Sequence, residues 1–286
     1  MNLRQALKEA EETLSAANID DALLESEVLL RHVLKIDRIR LYTDINSELT
    51  PQQYEKFSGL IQRRLNGEPS AYITGNREFY GLDFYVNQHV LIPRPETELL
   101  VEKAVDLAKK RSYKTIVDVG TGSGAVAVCL ALNLPDAVIY ATDISTQALE
   151  VASGNSRKHS VENRITFLEG NLLEPLTEPV DMIVANLPYV RNADIQQVST
   201  AGHEPEVALN GGKNGLDFII AIVGQSVSKL LRGGSILLEV GQGQSQTASR
   251  QLKGIYPYGE VDIFRDLAGI ERIVGLSLPR KTRVIS

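Results

Sequence analysis

Apolar and polar positions follow a helical period over the first quarter of the chain. Apolar side chains recur at spacings of three and four, at Leu3, Leu7, Ala10 and Leu14. A second helix follows Asp20 or Asp21, either of which could cap it. A third begins at Thr50-Pro51 and ends near Asn66-Gly67, because proline suits a first helical turn and glycine a helix end. The pattern predicts a small helical bundle over residues 1–70. We interpret it as a substrate-docking module, with a lid or a simple packing module as the alternatives.

The pattern changes to an alternation of period two after residue 70. Tyr72-Ile73 and the run from Glu78 to Val86 alternate as strands do, with Gly81 at a turn or bulge. We therefore predict a β-hairpin linker over residues 71–92, joining two domains.

From Thr115 onward, short apolar runs alternate with helical segments. The predicted strands cover residues 115–119, 138–142, 165–168, 181–185, 235–240, 261–264 and 272–275. One of the intervening helices is predicted from Leu216 to Leu231. Alternating strands and helices indicate an α/β fold, with a mostly parallel seven-stranded sheet and helices on both faces, over residues 93–286.

Composition excludes several classes of protein. The chain has 286 residues and a net charge of −6, which argues against a broad surface for gripping nucleic-acid phosphates. Its only cysteine is Cys129, so an internal disulfide is excluded, and we find no metal-ligand spacing. No apolar run approaches the roughly 20 residues that span a bilayer, and the N-terminus has no signal-peptide core. We expect a cytoplasmic protein.

A glycine-rich loop is the first candidate for chemistry. Gly120, Thr121, Gly122, Ser123 and Gly124 lie between a predicted strand and a predicted helix, where backbone N–H groups favour an anion. The spacing differs from the dinucleotide fingerprint, whose third glycine comes one residue later. A dehydrogenase is therefore disfavoured.

An acid follows the next strand. Asp143 comes roughly 20 residues after the loop, where a carboxylate can accept both hydroxyls of a ribose. A ligand with a ribose and a small anionic group fits S-adenosylmethionine, and Asn171 and Leu172 could reach its adenine. The alternative is that the glycines only pack helix against strand and that Asp143 caps the helix at Ser145. A nucleotide-sensing module would also keep this loop.

The second candidate is Asn186-Leu187-Pro188-Tyr189, which follows the apolar run 181–185. An amide, a stiff proline and an aromatic ring at a strand end could hold a flat NH2 group, although an ordinary turn uses the same residues. Ligands of open α/β sheets bind at the carboxyl ends of strands. We therefore predict that this turn and the glycine loop open onto one cavity.

Several motifs together resemble a known family. The glycine loop with Asp118, the run Asp143-Ile144-Ser145 and the Asn186 tetrapeptide resemble the Rossmann-like class I S-adenosylmethionine-dependent methyltransferases. Three further stretches are similar to the PrmC/HemK family: Glu78 to Leu82, Ile92-Pro93-Arg94-Pro95-Glu96-Thr97-Glu98, and Glu204 to Gly212. The similarity covers residues 68–275.

The resemblance implies a function. That family methylates the side-chain amide of the glutamine in the Gly-Gly-Gln tripeptide of peptide chain release factors, producing S-adenosylhomocysteine. It implies catalytic roles for Asn186, Pro188 and Tyr189, substrate binding by these three with Leu187 and Arg94, and cofactor contacts by the glycine loop, Asp143, Asn171, Leu172 and Asn186. We expect a monomer that contacts neither membranes nor nucleic acid directly.

The chain departs from the family pattern at two positions. Leu187 stands where the family's tetrapeptide has proline, and Asn214 stands where it has aspartate. The same Asn-Leu-Pro-Tyr spelling resembles the adenine-N6 methyltransferases of ribosomal RNA, which are the alternative. That alternative leaves Arg94, Pro95 and Glu96 unexplained.

Overall fold

The computed structural model describes residues 1–197 and 202–280. The chain forms two compact units, Met1–Asn76 and Arg77–Ser286. The last six residues of the predicted 93–286 domain, 281–286, lie outside the described residues. None of the helices in the described ranges combines the length and the apolar character needed to cross a membrane.

The first unit is helical. Within residues 1–76, all of which are described, the helices are α1 Leu3–Ala16, α2 Ala22–Leu34, α3 Arg38–Thr43, α4 Pro51–Leu65 and α5 Ser70–Thr74. The apolar positions of α1 that the pattern identified are buried in one cluster with side chains of α2 and α4. Thr50 caps α4, where its hydroxyl accepts a hydrogen bond from the Gln53 N–H. Asp21 precedes α2 but makes no side-chain cap, because its own backbone is left-handed at φ 52°.

The prediction of extended structure at Tyr72-Ile73 is wrong. These residues belong to α5, which follows Pro69 and ends at Gly75, a left-handed residue at φ 66°. Ile73 is buried in the helical core. Two residues are too few to separate a period of 2 from a period of 3.6, so the flanking proline and glycine were the better signal.

A short hairpin opens the second unit. Its strands are β1 Asn76–Phe79 and β2 Leu82–Tyr85, which pair only with each other in the described sheets. Tyr80 and Gly81 form the turn, both with positive φ. The N–H of Tyr80 donates to Glu98 Oε1, and the N–H of Gly81 donates to Glu78 Oε1, so acidic side chains hold the turn closed.

The remaining elements alternate as predicted. They are α6 Glu98–Arg111, β3 Thr115–Val119, α7 Ala125–Asn133, β4 Val138–Asp143, α8 Thr146–Lys158, β5 Ile165–Glu169, β6 Val180–Ala185, α9 Asp217–Ser226, β7 Leu230–Glu239, α10 Ser245–Ile255, β8 Glu260–Arg265 and β9 Glu271–Ser277. In the described residues β3 to β9 form one seven-stranded sheet in the order β5-β4-β3-β6-β7-β9-β8. β9 runs opposite to the other six strands, so its pairs with β7 and β8 are the antiparallel ones. The predicted seven-stranded, mostly parallel sheet is confirmed.

One predicted helix extends too far. Leu230 and Leu231 were assigned to the helix from Leu216, but α9 ends at Ser226 and these residues begin β7. Leu230 pairs with Val180, and the N–H of Val180 donates to the Lys229 carbonyl. Pairing with β6 therefore overrides an apolar run that suits a helix equally well.

Two apolar clusters cover the two faces of the sheet. Ile116 and Val184 lie in a cluster with side chains of α6 and α7, whereas Val117 and Ile183 lie in a cluster with side chains of α9 and α10. Successive strand residues point to opposite faces, so the continuous apolar runs of β3 and β6 are explained by burial on both sides.

Gly124 allows α7 and α8 to approach closely. It precedes α7 in a left-handed conformation at φ 78°. A Cβ at this position would lie 2.8 Å from the Cβ of Ala152 in α8. The last glycine of the loop therefore serves packing.

Replacing Gly124 with alanine should destabilise the protein. A left-handed non-glycine residue and a forced separation of the two helices together cost roughly 2–4 kcal/mol. Gly154→Ala is the matched control, because a Cβ there meets nothing within 4 Å and its place inside α8 favours alanine by roughly 0.5–1 kcal/mol. Urea unfolding of both variants measures the two signs. Equal effects would contradict the packing argument.

Candidate active site

The carboxyl ends of four neighbouring strands bring the candidate residues into one row. In the pairing of β3 with β6, Val119 lies opposite Ala185, so the next residues are Gly120 and Asn186. On the outer sides, Thr142 of β4 pairs with Val119 and Leu238 of β7 pairs with Ala185. Asp143 and Glu239 follow these residues and complete the row. The strand order reverses between β3 and β6, which is where open α/β sheets bind ligands.

A cavity of about 160 Å³ lies at this edge. The predicted residues that line it are Arg94, Gly120, Thr121, Gly122, Ser123, Asp143, Asn171, Leu172, Asn186, Leu187 and Pro188. Gly124 and Tyr189 are absent from the lining. The glycine loop and the Asn186 turn therefore open onto the same cavity, as predicted.

The glycine loop is drawn over the end of β4. The N–H groups of Gly120 and Thr121 both donate to the Thr142 carbonyl, each at 2.9 Å. A Cβ on Gly120 would lie 3.0 Å from Leu187 Cδ2, so glycine lets the two turns touch. A Cβ on Gly122 would meet nothing within 4 Å, because this part of the loop borders open space.

Asp143 supports both the loop and the next helix. Its Oδ2 accepts from the Gly122 N–H at 2.8 Å, and its Oδ1 accepts from the Ser145 N–H at 3.0 Å. Burial raises the pKa of Asp143, against the opposing effect of these backbone bonds. The cap of α8 is Ser145, whose hydroxyl accepts from the Ala148 N–H, and Asp143 holds the backbone of that cap residue. A carboxylate has roughly four acceptor positions, more than these backbone N–H groups occupy, so the group can still accept a hydroxyl of a ligand.

The wall beside Asp143 contains a strained residue. Leu172 is buried and adopts φ 52°, a conformation that costs a non-glycine residue about 1 kcal/mol or more. Asn171 donates from Nδ2 to Glu174 Oε1 at 2.9 Å. The Gly170 N–H donates to the Asp143 carbonyl and so ties this segment to β4. Strain held by several bonds is typical of a ligand-binding wall.

Asp118 is buried and supports the glycine loop through hydrogen bonds. Its Oδ2 accepts from the Thr121 hydroxyl at 2.6 Å and from the Ala127 N–H at 3.2 Å. Burial raises the pKa of Asp118 to about 7, although both hydrogen bonds oppose the rise. The carboxyl group therefore links the loop to the first turn of α7.

Asn186 is anchored through its amide nitrogen. Nδ2 donates to Thr97 Oγ1 at 2.9 Å. Oδ1 is then the part of the side chain with which Asn186 can accept a hydrogen bond from a ligand. Leu187 is buried in the core cluster next to α9 and α10, and Pro188 lines the cavity.

Tyr189 does not contribute its ring to the cavity lining. Its carbonyl accepts from Gln244 Nε2 at 3.0 Å, and burial raises the pKa of its hydroxyl to about 12. The contact between this ring and a substrate amide stays a prediction.

Arg94 lines the cavity and forms an ion pair with Glu204. Its Nη2 lies 2.5 Å from Glu204 Oε2, and Glu204 Oε1 accepts from the Ile92 N–H at 3.0 Å. The Glu204 side chain is fully buried, so the pair fastens the proline-rich stretch to the segment after residue 202. Pro205 and the exposed Val207 of that segment also line the cavity. Arg94 therefore has a structural partner as well as its place at the cavity.

Sequence reasoning missed two kinds of residue. Apolar lining residues such as Val90 and Phe218 carry no signal, because apolar positions fill every element. Thr97 and Glu239 could have been noticed: Thr97 lies within the proline-rich motif, and Glu239 is a lone charge in the strand Ile236-Leu237-Leu238-Glu239-Val240. Fully buried acids are rare unless they are paired.

Comparisons with known proteins agree on one family. The family model of the PrmC N-terminal domain matches residues 5–75, and that of the methyltransferase small domain matches residues 95–203. The release factor glutamine methyltransferase of Moorella thermoacetica is 40% identical over 274 residues, which cover 95% of this chain and 97% of that protein. The protein of the same name from Geobacter sulfurreducens is 38% identical over 278 residues, 96% of this chain and 95% of that one.

A solved structure shows the same fold at low identity. The hMettl16 catalytic domain in complex with MAT2A 3′UTR hairpin 1 is 15% identical, has a TM-score of 0.59, and the match covers 89% of this chain and 90% of that one. At this identity the likeness concerns the fold alone.

Replacing Asp118 with asparagine should change how stability depends on pH. The folded pKa of Asp118 is raised from 3.8 to about 7, so its contribution is full below the lower value and is lost as pH rises toward the upper one. The free energy of unfolding of the wild type, minus that of the variant, should therefore fall from about pH 4 to about pH 7 and level off above. Urea unfolding at half-unit pH steps measures this difference. A difference that does not vary with pH would show that Asp118 titrates normally.

Proposed function

The chain belongs to the release factor glutamine methyltransferase family, and we propose that it methylates the side-chain amide nitrogen of a glutamine in peptide chain release factors. The methyl donor is S-adenosylmethionine, and the glutamine is that of the Gly-Gly-Gln tripeptide. The observation that carries the proposal is the shared cavity of the Gly120 loop and the Asn186 turn. A donor and an acceptor bound at these two turns are neighbours.

The residues around Gly120 suit S-adenosylmethionine. Gly122 borders open space, so the methionyl carboxylate can approach the loop and the N-terminus of α7 that follows it. Asp143 retains acceptor capacity for the ribose hydroxyls, and Asn171 and Leu172 lie on the same cavity wall for the adenine. When bound, the cofactor supplies a methyl group on a sulfonium, which is already activated for transfer.

The chain's own contribution is to position the amide. A glutamine amide nitrogen is a weak nucleophile, since its lone pair is delocalised into the carbonyl. Asn186 Oδ1 and the Leu187 carbonyl would accept its two N–H bonds and aim the nitrogen at the methyl group. Alignment of this kind contributes several kcal/mol, and roughly 7–11 at its upper range. Pro188 stiffens the turn that carries both acceptors.

Proton transfer places no demand on a basic side chain. The amide proton becomes acidic only after the methyl group has been transferred, so no general base acts in the transition state. Acceptors directed at the developing positive charge on nitrogen stabilise it instead. Asn186 thus has two effects, orientation and electrostatic stabilisation.

The helical unit would contribute to recognition of the release factor. Its residues 5–75 match the PrmC N-terminal domain, and it exposes Leu23, Leu24, Ile39 and Tyr42. A monomer would suffice, because the cavity is built within residues 79–218. The net charge of −6 disfavours a polyanionic substrate such as ribosomal RNA.

Label transfer tests the function directly. With methyl-labelled S-adenosylmethionine, we expect label in an intact release factor and none in the same factor with the glutamine of Gly-Gly-Gln replaced by glutamate. Ribosomal RNA is offered in parallel as the competing acceptor. Label in RNA and not in the release factor would replace the proposal with adenine-N6 methylation.

Two substitutions should separate the two halves of the cavity. Asn186→Ala should lower kcat by about 100-fold, as expected for loss of an oriented acceptor, with little change in cofactor affinity.

Asp143→Ala should instead weaken S-adenosylmethionine binding, measured by calorimetry. Asn163→Ala and Asp136→Ala are controls at exposed positions away from the cavity. Unchanged cofactor affinity in Asp143→Ala would exclude the ribose assignment.

A further inference from the structure

The side chain of Asn186 has two ends of almost equal shape and opposite hydrogen-bonding character. Its carbonyl oxygen accepts, and its NH2 group donates. Only the oxygen can hold an N–H bond of a substrate amide. Nothing in asparagine itself determines which end faces the cavity, so a neighbouring group must determine it.

Thr97 is the neighbour that touches the amide. It ends the short helical turn Pro95–Thr97 before α6, and only 4% of it is exposed. Its Oγ1 accepts from Asn186 Nδ2 at 2.9 Å, and its hydroxyl lies near the Glu239 carboxylate, whose charged form it favours. A hydroxyl has one proton. A Thr97 hydroxyl that donates this proton to Glu239 can only accept from Asn186.

Glu239 is the group that would fix which partner donates in the hydrogen bonds of Thr97. It ends β7, one position beyond the pairing of Leu238 with Ala185, and 2% of it is exposed. An ionised carboxylate is an acceptor without donors, whereas glutamine in its place would offer both. Oε2 is buried and has no hydrogen-bond partner within the part of the chain that the structure describes. Burying an acid at this position costs free energy, which indicates that the carboxylate has a role there.

The charges around Glu239 oppose one another. Arg272 of β9 favours the carboxylate form, and Glu96 disfavours it. Tyr189 also faces this group of charges and stays neutral, because burial raises its pKa to about 12. Burial is the largest effect on the acid and raises the pKa of Glu239 to about 7.

We propose that Glu239 and Thr97 form a directed relay that positions Asn186, turning its carbonyl oxygen toward the substrate amide. The relay rests on the proposed function, because its direction matters only if Asn186 must accept. Thr97 and Glu239 are positioning residues: neither needs to touch the reacting atoms. Protonation of Glu239 would reverse the relay. Thr97 would then accept from the acid and donate to Asn186 Oδ1, which would turn the amide NH2 toward the cavity.

Three substitutions test the relay by kinetics. Thr97→Val keeps the shape and removes the hydroxyl, and it should lower kcat about tenfold or more, with KM for the release factor and cofactor affinity changed less than about threefold. Thr97→Ser should restore most of kcat. The wild-type kcat should fall below about pH 7, and Glu239→Gln should lower kcat and remove that fall.

The matched control is Thr115→Val. Thr115 also donates from its hydroxyl to a carboxylate, Asp181 Oδ2 at 3.1 Å, but at the opposite end of the sheet. Thr115→Val should leave kcat and the pH profile of kcat unchanged. Wild-type kcat in Thr97→Val, or equal defects in Thr97→Ser and Thr97→Val, would overturn the relay.

A second measurement does not depend on activity. The side-chain NH2 resonances of Asn186, assigned by comparison with Asn186→Ala, should shift with pH at the midpoint of the Glu239 carboxyl titration. The shift should disappear in Glu239→Gln. If the resonances do not follow Glu239 in the wild type, the relay is absent. If they do but no release factor is methylated, the proposed function fails and the relay stands.

Discussion

The candidate site depends on the register between β3 and β6. Val119 lies opposite Ala185, so the first residues beyond the two strands, Gly120 and Asn186, are neighbours. A slip of one residue would move the turns by about 3.3 Å and turn every side chain of a strand to the other face. Such a slip is prevented because β3 and β6 are buried on both faces: Ile116 and Val184 pack on one side, Val117 and Ile183 on the other. The packing of the core therefore sets the distance between the two halves of the cavity.

The same register brings buried acids to the cavity. Asp118 and Glu239 lie within the sheet, and burial raises the pKa of each to about 7. A sheet selected for stability alone would place apolar residues there. Asp118 instead holds the loop through Thr121, and Glu239 lies near Thr97, which accepts from Asn186. Departures from a purely apolar core are expected at functional sites, and both of these acids support a turn of the cavity.

Features that depend only on residues close together in the sequence could be predicted. Gly120, Asp143 and Asn186 each end a compact apolar strand, so their place at the carboxyl edge followed from the pattern alone. The contact between Asn186 and Thr97 joins residues far apart in the chain, and strand order is not contained in periodicity. Short ambiguous runs were also beyond the periodicity: Tyr72-Ile73 are helical, as the flanking Pro69 and Gly75 indicate, whereas Leu230 is a strand residue because it pairs with β6. The engagement of Arg94 by Glu204 depends on the same long-range folding.

Leu187 shows how packing can replace a covalent constraint. The family that the motifs resemble has proline at this position, where a fixed φ stiffens the turn. Leu187 lacks the ring, but it is only 5% exposed and packs in the core cluster of β3, β6 and α9. The Gly120 backbone lies so close to Leu187 Cδ2 that a Cβ there would be 3.0 Å away. The acceptor that we propose this residue offers to a substrate amide is its backbone carbonyl, which any residue supplies. A buried side chain wedged beneath the glycine loop can therefore keep that carbonyl in place, and it couples the two turns more directly than a proline ring that only fixes its own φ.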